Sequence, residues 1–284
     1  MSRLPILPGA PRPLIFAHRG LSSRAPENTM ASFRLAAEEG APGIELDVRL
    51  TRDGKLAVIH DQYTGRVTAG RDPSSKGLNV EASAWAQLAP LDVGAWKDPR
   101  WAGERIPLLE DVLDEFGETV YFDIELKSPR ATSRGLEAAV ARAIRGARAG
   151  RGPALGCIVS SFNPIALARF KAIAPDIPTA IIWSTDRELP PCLRHGEGRW
   201  IAKADCLKPE SSLHRGKAAE NWRRRHWTRI AWTVDSPEEA RELYAAGCDG
   251  FISNRADELL ELLPGRRGAS FLIKHDEQGG GKTP

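Results

Sequence analysis

Short apolar runs alternate with stretches of helical periodicity along most of this chain. Runs at 14–17, 43–50, 120–126, 156–161, 179–183, 201–207, 229–234 and 249–253 read as strands. The segments between them predict helices over 29–39, 107–116, 133–148, 164–173, 188–195, 213–225, 237–246 and 257–263. Several carry their own boundary signals. Asn28 or Thr29 caps the first and Gly40 stops it, while Pro107 opens the second and Gly117 closes it. Strand–helix alternation implies a parallel sheet with helices outside, and eight staves is the number in a TIM barrel. The expected fold is therefore an α/β TIM (β/α)8 barrel over residues 12–263, with a Pro-rich lead-in before it. The polar, Gly-rich and Trp-bearing stretch 62–106 lacks sustained periodicity and is expected to be a small insertion after the second barrel strand. The tail 264–284, with Gly279-Gly280-Gly281, is expected to fray.

The second strand run continues into a hairpin, GIELDVRLTRDGKLAVIHD over 43–61. Asp53-Gly54 is a two-residue turn signal. With that turn, paired positions sum to 107, so Arg49 faces Val58 and Asp47 faces His60. Alternation places Glu45 and Asp47 on one face, and cross-strand pairing brings the His60 imidazole to the same spot.

Composition narrows the class of protein. The chain has 284 residues, 42% of them hydrophobic, which suits one barrel with a sizeable core. A net charge of +3 is too slight to argue for nucleic acid, and the basic run Trp222-Arg223-Arg224-Arg225-His226-Trp227 reads as a solvated helix end. The cysteines at 157, 192, 206 and 248 show no metal-binding spacing and are expected to be reduced thiols. The first residues lack the apolar stretch of a signal peptide, and no run approaches the roughly 18 apolar residues of a membrane span. A soluble cytoplasmic protein is the expectation.

In TIM barrels chemistry sits at the C-terminal ends of the strands. Those ends carry His18-Arg19, then Glu45 and Asp47 with His60, then Glu125 and Lys127 with Asp123 deeper on the same face, then Ser160-Ser161-Phe162, and at the seventh Trp232. Three carboxylates without a thiolate make a hard oxygen site suited to Mg2+ or Ca2+. A guanidinium and an ammonium beside such a cation describe a phosphate site, and two imidazoles in the same mouth can transfer protons near neutral pH. The set points to phosphodiester cleavage.

The motifs AHRG (17–20), APENT (25–29), GIELDV (43–48), TRDG with VIHD (51–61), LDVGAW (91–96), GERIPLLEDVL (103–113), IELK (124–127), SSF (160–162), AWTVD (231–235) and CDGFISN (248–254) resemble, in order, those of the glycerophosphodiester phosphodiesterases. The resemblance implies a TIM barrel with a small insertion after the HD motif. It also implies hydrolysis of glycerophosphodiesters to an alcohol and sn-glycerol 3-phosphate with a divalent metal. By similarity, Glu45, Asp47 and Glu125 are metal ligands, His18 and His60 the acid/base pair, and Arg19 and Lys127 phosphate ligands. Phe162 and Trp232 line the substrate pocket, and Glu27 and Asn28 support the site. Three positions depart from the family pattern. QYTGRVT after Asp61 lacks a leucine, Ala256 stands where proline is frequent, and Asp123 stands where asparagine is frequent, which adds charge near the metal. A lysophospholipase D activity is the nearest rival and would need an apolar wall, which Trp85, Trp96 and Trp101 of the insertion are expected to supply. A non-catalytic phosphate-binding protein is the rival from another class, disfavoured by the intact histidine pair.

Overall fold

The computed structural model describes residues 6–68, 76–128, 132–150, 155–186 and 189–264. Among these residues nine strands form one sheet: β1 Leu14–His18, β2 Gly43–Leu50, β3 Leu56–Val58, β4 Tyr121–Leu126, β5 Cys157–Ser161, β6 Thr179–Trp183, β7 Cys206–Pro209, β8 Thr228–Trp232 and β9 Gly250–Ser253. All but β3 run parallel, and β1 pairs with both β9 and β2, so the eight parallel strands close into the expected barrel. Helices Met30–Glu38, Leu109–Phe116, Leu136–Gly150, Pro164–Ile173, Gly198–Ala202, Gly216–Arg224, Pro237–Ala245 and Ala256–Leu259 follow the staves. Thr29 caps the first, accepting from Ser32 N, as its position ahead of the apolar run predicts.

Two apolar layers follow from strand alternation. Outward residues such as Ile44, Leu46, Phe122, Ile124 and Phe251 pack against the helices. Inward residues Leu14, Phe16, Tyr121, Ile158, Ala180, Cys206, Ile230 and Ile252 fill the lower barrel, and Leu7 from the lead-in packs among them. Gly43 lets β1 and β2 close here, since a Cβ would lie 2.5 Å from the Phe16 ring. The interior turns polar toward the C-terminal ends of the strands, where Glu45, Asp47, Asp123, Glu125, Ser160 and Lys208 are buried.

The hairpin differs from expectation by one residue. Pairs sum to 106, with Val48 opposite Val58 and Arg49 opposite Ala57. The loop is longer than a two-residue turn: Thr51 N bonds Lys55 O at 2.9 Å, and Gly54 alone takes a left-handed φ of 81°. Asp53 keeps negative φ and uses its carboxylate to accept from Trp85 N of the insertion. Ile59, not His60, therefore bonds opposite Asp47. The return strand β3 uses the edge of β2 that β1 uses lower down, since β4 occupies the other edge along Gly43–Val48.

Other differences are local. The sixth stave, β7, is Cys206–Pro209 rather than 201–207, because Ile201 and Ala202 end a helix that Lys203 closes with a φ of 49°. The helix expected over 188–195 is a 3-10 turn at Pro191–Leu193, with Glu188 outside the described residues. The helix expected over 213–225 splits into a 3-10 turn at Ser211–His214 and the helix from Gly216. Within that helix Trp222 is buried edge-to-face against Trp183, and the arginines after it are exposed. The described residues of 62–106 form short helical pieces around a small core of Ala57, Ile59, Val67, Val80, Leu88, Val93 and Ile106. The tail from residue 265 lies outside the described residues. No helix among the described residues is long and apolar enough to cross a membrane.

All four cysteines are unpaired. Burial pushes the Cys157 thiol up to about 12, Cys248 up to about 11, and Cys206 well above its ordinary range, while Cys192 is exposed. A thiol reagent is therefore expected to titrate one cysteine in the native protein and all four in denaturant. Rapid labelling of more than one native thiol would contradict this packing.

Candidate active site

The site begins at the end of β1. Arg19 adopts a left-handed φ of 56°, a conformation that disfavours side-chain-bearing residues by roughly 1–2 kcal/mol. The strain is held by contacts: Arg19 N donates to Glu45 Oε2 at 3.1 Å, and Arg19 O accepts from Asn28 N at 2.9 Å. Gly20 continues the turn at a φ of 80°, with Ser32 packed where a Cβ would stand, which is why glycine follows His-Arg.

Asn28, also left-handed, fills a gap in the sheet. Asp47 N lies on the β2 edge between the end of β1 and the end of β3, where neither strand bonds it. The Asn28 amide does so instead, accepting from Asp47 N at 3.3 Å and donating to Asp47 Oδ2 at 2.8 Å. Asn28 thereby completes the ladder and orients the carboxylate.

Oxygen atoms of Glu45, Asp47 and Glu125 lie within 4.8 Å of one another, all buried. Lys127 Nζ sits 2.7 Å from Glu125 Oε1 and 3.0 Å from Asp47 Oδ1. Arg19 Nε is 3.2 Å from Asp47 Oδ2, and its Nη1 donates to Glu27 Oε1 at 2.8 Å. Burial opposes ionisation of Asp47, but Lys127 and Arg19 outweigh it and hold its carboxyl well below the usual range. Glu45 goes the other way: burial and the neighbouring Asp47 raise it well above that range. The donor set thus fits a hard divalent cation, all oxygen and short of positive charge at Glu45.

Beneath the trio lies a buried ion pair that the sequence reading missed. Lys208 Nζ is 2.7 Å from Asp123 Oδ2 and donates to Ser160 Oγ at 2.9 Å, and Ser160 Oγ donates to Asp123 Oδ1 at 2.6 Å. The charge expected from Asp123 is therefore taken up by Lys208 and is not free toward the cation site. The signal was a lysine closing the apolar run CLKP, which becomes visible only once the stave is shifted to end at Pro209.

Each histidine has one nitrogen committed. His18 Nδ1 lies 2.7 Å from Asn254 Oδ1. The Asn254 amide is oriented by Asp235, whose carboxylate accepts from its Nδ2 at 2.8 Å. His18 Nδ1 therefore carries the proton and Nε2 is free, 3.9 Å from Glu45 Oε2. Burial, with the Arg19 guanidinium beside it, lowers His18 to about 4. His60 Nδ1 pairs with Asp61 Oδ1 at 2.7 Å, and Asp61 is held by Arg66, which also grips Glu27. Asn254 and Asp235 lay inside recognised motifs without a role, and nothing local marked Arg66 as their counterpart at His60.

A cavity of about 620 Å3 opens over this cluster, lined by His60, Glu125, Lys127, Phe162 and Trp232. The Phe162 and Trp232 rings meet edge-to-face at 5.4 Å, and Trp232 Nε1 donates to Lys208 O. The rest of the apolar wall comes from Leu189, Pro190 and Leu193, not from the insertion tryptophans. Trp85 and Trp96 pack on the insertion's own core instead.

The barrel mouth thus brings a carboxylate trio, a guanidinium, an ammonium and two oriented imidazoles together at the C-terminal ends of the strands, where TIM-barrel enzymes carry their chemistry. Residues 18–258 match the model of the glycerophosphoryl diester phosphodiesterase family, and the chain belongs to that family of phosphoric diester hydrolases. It is 33% identical to a glycerophosphodiester phosphodiesterase of Caldanaerobacter subterraneus subsp. tengcongensis, over 88% of this chain and 97% of that protein. It is similar to the structure of an Oleispira antarctica phosphodiesterase in complex with the product sn-glycerol-3-phosphate, with a TM-score of 0.74 and 28% identity over 88% of this chain and 96% of the other. A glycerophosphodiester phosphodiesterase from Agrobacterium tumefaciens superposes with a TM-score of 0.67 and 27% identity, over 86% and 97% of the two chains.

The buried Lys208–Asp123 pair makes a stability prediction. Lys208→Met strands a buried carboxylate and is expected to lower the unfolding free energy by about 3–5 kcal/mol, whereas Lys208→Met with Asp123→Leu recovers most of it. Urea unfolding of the two variants checks this, and a Lys208→Met protein as stable as the parent would remove the pair from the account.

Proposed function

We propose that this chain hydrolyses glycerophosphodiesters to sn-glycerol 3-phosphate and an alcohol, with a divalent cation held by Glu45, Asp47 and Glu125. The observation that carries the reading is the close approach of these three buried carboxylates beside Arg19 and Lys127. The bound cation supplies Lewis-acid polarisation of the phosphoryl group. Arg19 and Lys127 orient and neutralise the phosphate oxygens. His18 and His60 transfer the protons: one takes a proton from the attacking oxygen, of water or of the substrate's own glycerol hydroxyl, and the other returns one to the alkoxide as its P–O bond breaks, a cyclic phosphate formed in the second case being opened afterwards by water. For each, Nδ1 is tied to a fixed partner, and Nε2 is the nitrogen left for transfer. Phe162 and Trp232 form the wall against which the carbon skeleton of the substrate packs.

The apolar lip at Leu189, Pro190 and Leu193 favours a second substrate class, lysolipids, whose acyl chain would lie along it. Release of glycerol 3-phosphate from glycerophosphocholine should vanish in EDTA and return with Mg2+ or Ca2+. Choline release from lysophosphatidylcholine, measured in parallel, reports the second class. Folded protein inactive on both with either metal would contradict the reading. His18→Ala and His60→Ala are each expected to lower kcat by about 10²- to 10⁴-fold. A folded variant of either with full activity would remove that histidine from the chemistry.

A further inference from the structure

Arg49 shares the inward face of β2 with Glu45 and Asp47 and lines the cavity beside His60, yet its guanidinium bonds to none of the carboxylate trio. It is 8% exposed, and its guanidinium is committed at three positions. Nε and Nη2 donate to the backbone carbonyl of His60 at 2.9 and 2.7 Å, and Nη1 donates to Glu81 Oε1 at 3.1 Å. Glu81 is 7% exposed and belongs to the 3-10 turn Val80–Ala82 of the insertion.

The His60 carbonyl needs such a partner because of the hairpin register. The ladder between β2 and β3 ends at Val58, and its last bond runs from Ile59 N to Asp47 O. His60 is the first residue beyond that last bond, so its carbonyl has no strand to bond. Arg49 replaces the ladder with a two-pronged grip, a geometry that a planar guanidinium can supply and an ammonium cannot. The side chain of the same histidine is held by Asp61, and Asp61 by Arg66 of the insertion. A buried guanidinium–carboxylate pair contributes little net stability, since desolvation offsets most of the attraction. What it supplies here is the position of one residue.

We propose that Arg49 is a positioning residue for His60. It transmits the anchorage of the insertion, through Glu81, to the imidazole, and so makes the insertion part of the acid–base apparatus. The inference rests on the reading that His60 transfers a proton.

The test is a double-mutant cycle between positions 49 and 60, with glycerophosphocholine as substrate. Arg49→Lys keeps the charge opposite Glu81 but loses the two-pronged grip. It is expected to lower kcat by about 10- to 100-fold, the scale of an ångström-level misplacement of a reacting group, with KM held within about two-fold. In the His60→Ala background the same substitution should change kcat by less than about two-fold, because the group it positions is gone. The variant Arg49→Met with Glu81→Gln removes both buried charges and should behave alike, which separates the grip from simple loss of charge balance. An equal fractional loss of kcat with and without His60 would make Arg49 merely structural and overturn the proposal. A raised KM with unchanged kcat would make it a substrate contact and overturn it too. Failure of the underlying reading looks different: His60→Ala alone would then be fully active.

Discussion

The interaction on which the rest of the structure depends is the mutual repulsion of the buried carboxylates in the barrel mouth. Glu45, Asp47, Asp123 and Glu125 are all buried, and ligand oxygens of three of them lie within 4.8 Å. At such a separation two unit charges repel by roughly 3 kcal/mol with an effective dielectric of 20. The chain offsets this with a cation from each of three places on the barrel: Arg19 after β1, Lys127 after β4 and Lys208 at the end of β7. Four carboxylates against three cations leave one negative charge, and Glu45 is the carboxyl raised well above the usual range, by burial first and by the neighbouring Asp47 second. A divalent cation would turn that residue of one negative charge into one positive charge, which suits the approach of a phosphodiester anion.

That electrostatic demand explains features that look unrelated along the chain. Two side-chain-bearing residues, Arg19 and Asn28, hold left-handed backbone so that a backbone N–H can reach Glu45 and an amide can reach Asp47. The first strand stops at His18 and the hairpin returns above it on the same edge of β2, leaving a one-residue gap at Asp47 that Asn28 fills. The insertion packs on its own small core and is tied to the mouth by ions, through Arg66 to Asp61 and Glu27 and through Glu81 to Arg49. The lower barrel is apolar and the upper barrel is charged. The change of character occurs within single strands, between Phe16 and His18, and between Tyr121 and Asp123.

Most of the barrel is legible in the sequence because its strands are short apolar runs closed by Gly, Pro or polar residues. Glu45, Asp47 and Glu125 are readable together because period-two alternation fixes which face they share. The hairpin register is not readable, since Asp53-Gly54 fits both a two-residue turn and the longer loop that Thr51 and Lys55 close. Asp53's bonds to Thr51 and Trp85 favour the latter, and Trp85 is distant in sequence. Lys208 was missed for a related reason. The apolar Trp200-Ile201-Ala202 looks like a strand until the left-handed Lys203 ends it as a helix. The partners of His18 come from the other end of the chain, Asn254 and Asp235, and only barrel closure brings them to it. The tryptophans are the conspicuous aromatic residues of the insertion and suggest an apolar wall, yet Trp85 and Trp96 pack on the insertion's own core.

The most direct test of a cation at the centre of this balance is anomalous diffraction from crystals soaked in Mn2+. One strong peak is expected within bonding distance, about 2.0–2.3 Å, of carboxylate oxygens from Glu45, Asp47 and Glu125. A well-ordered mouth with no peak there, or with manganese bound only elsewhere on the protein, would contradict it.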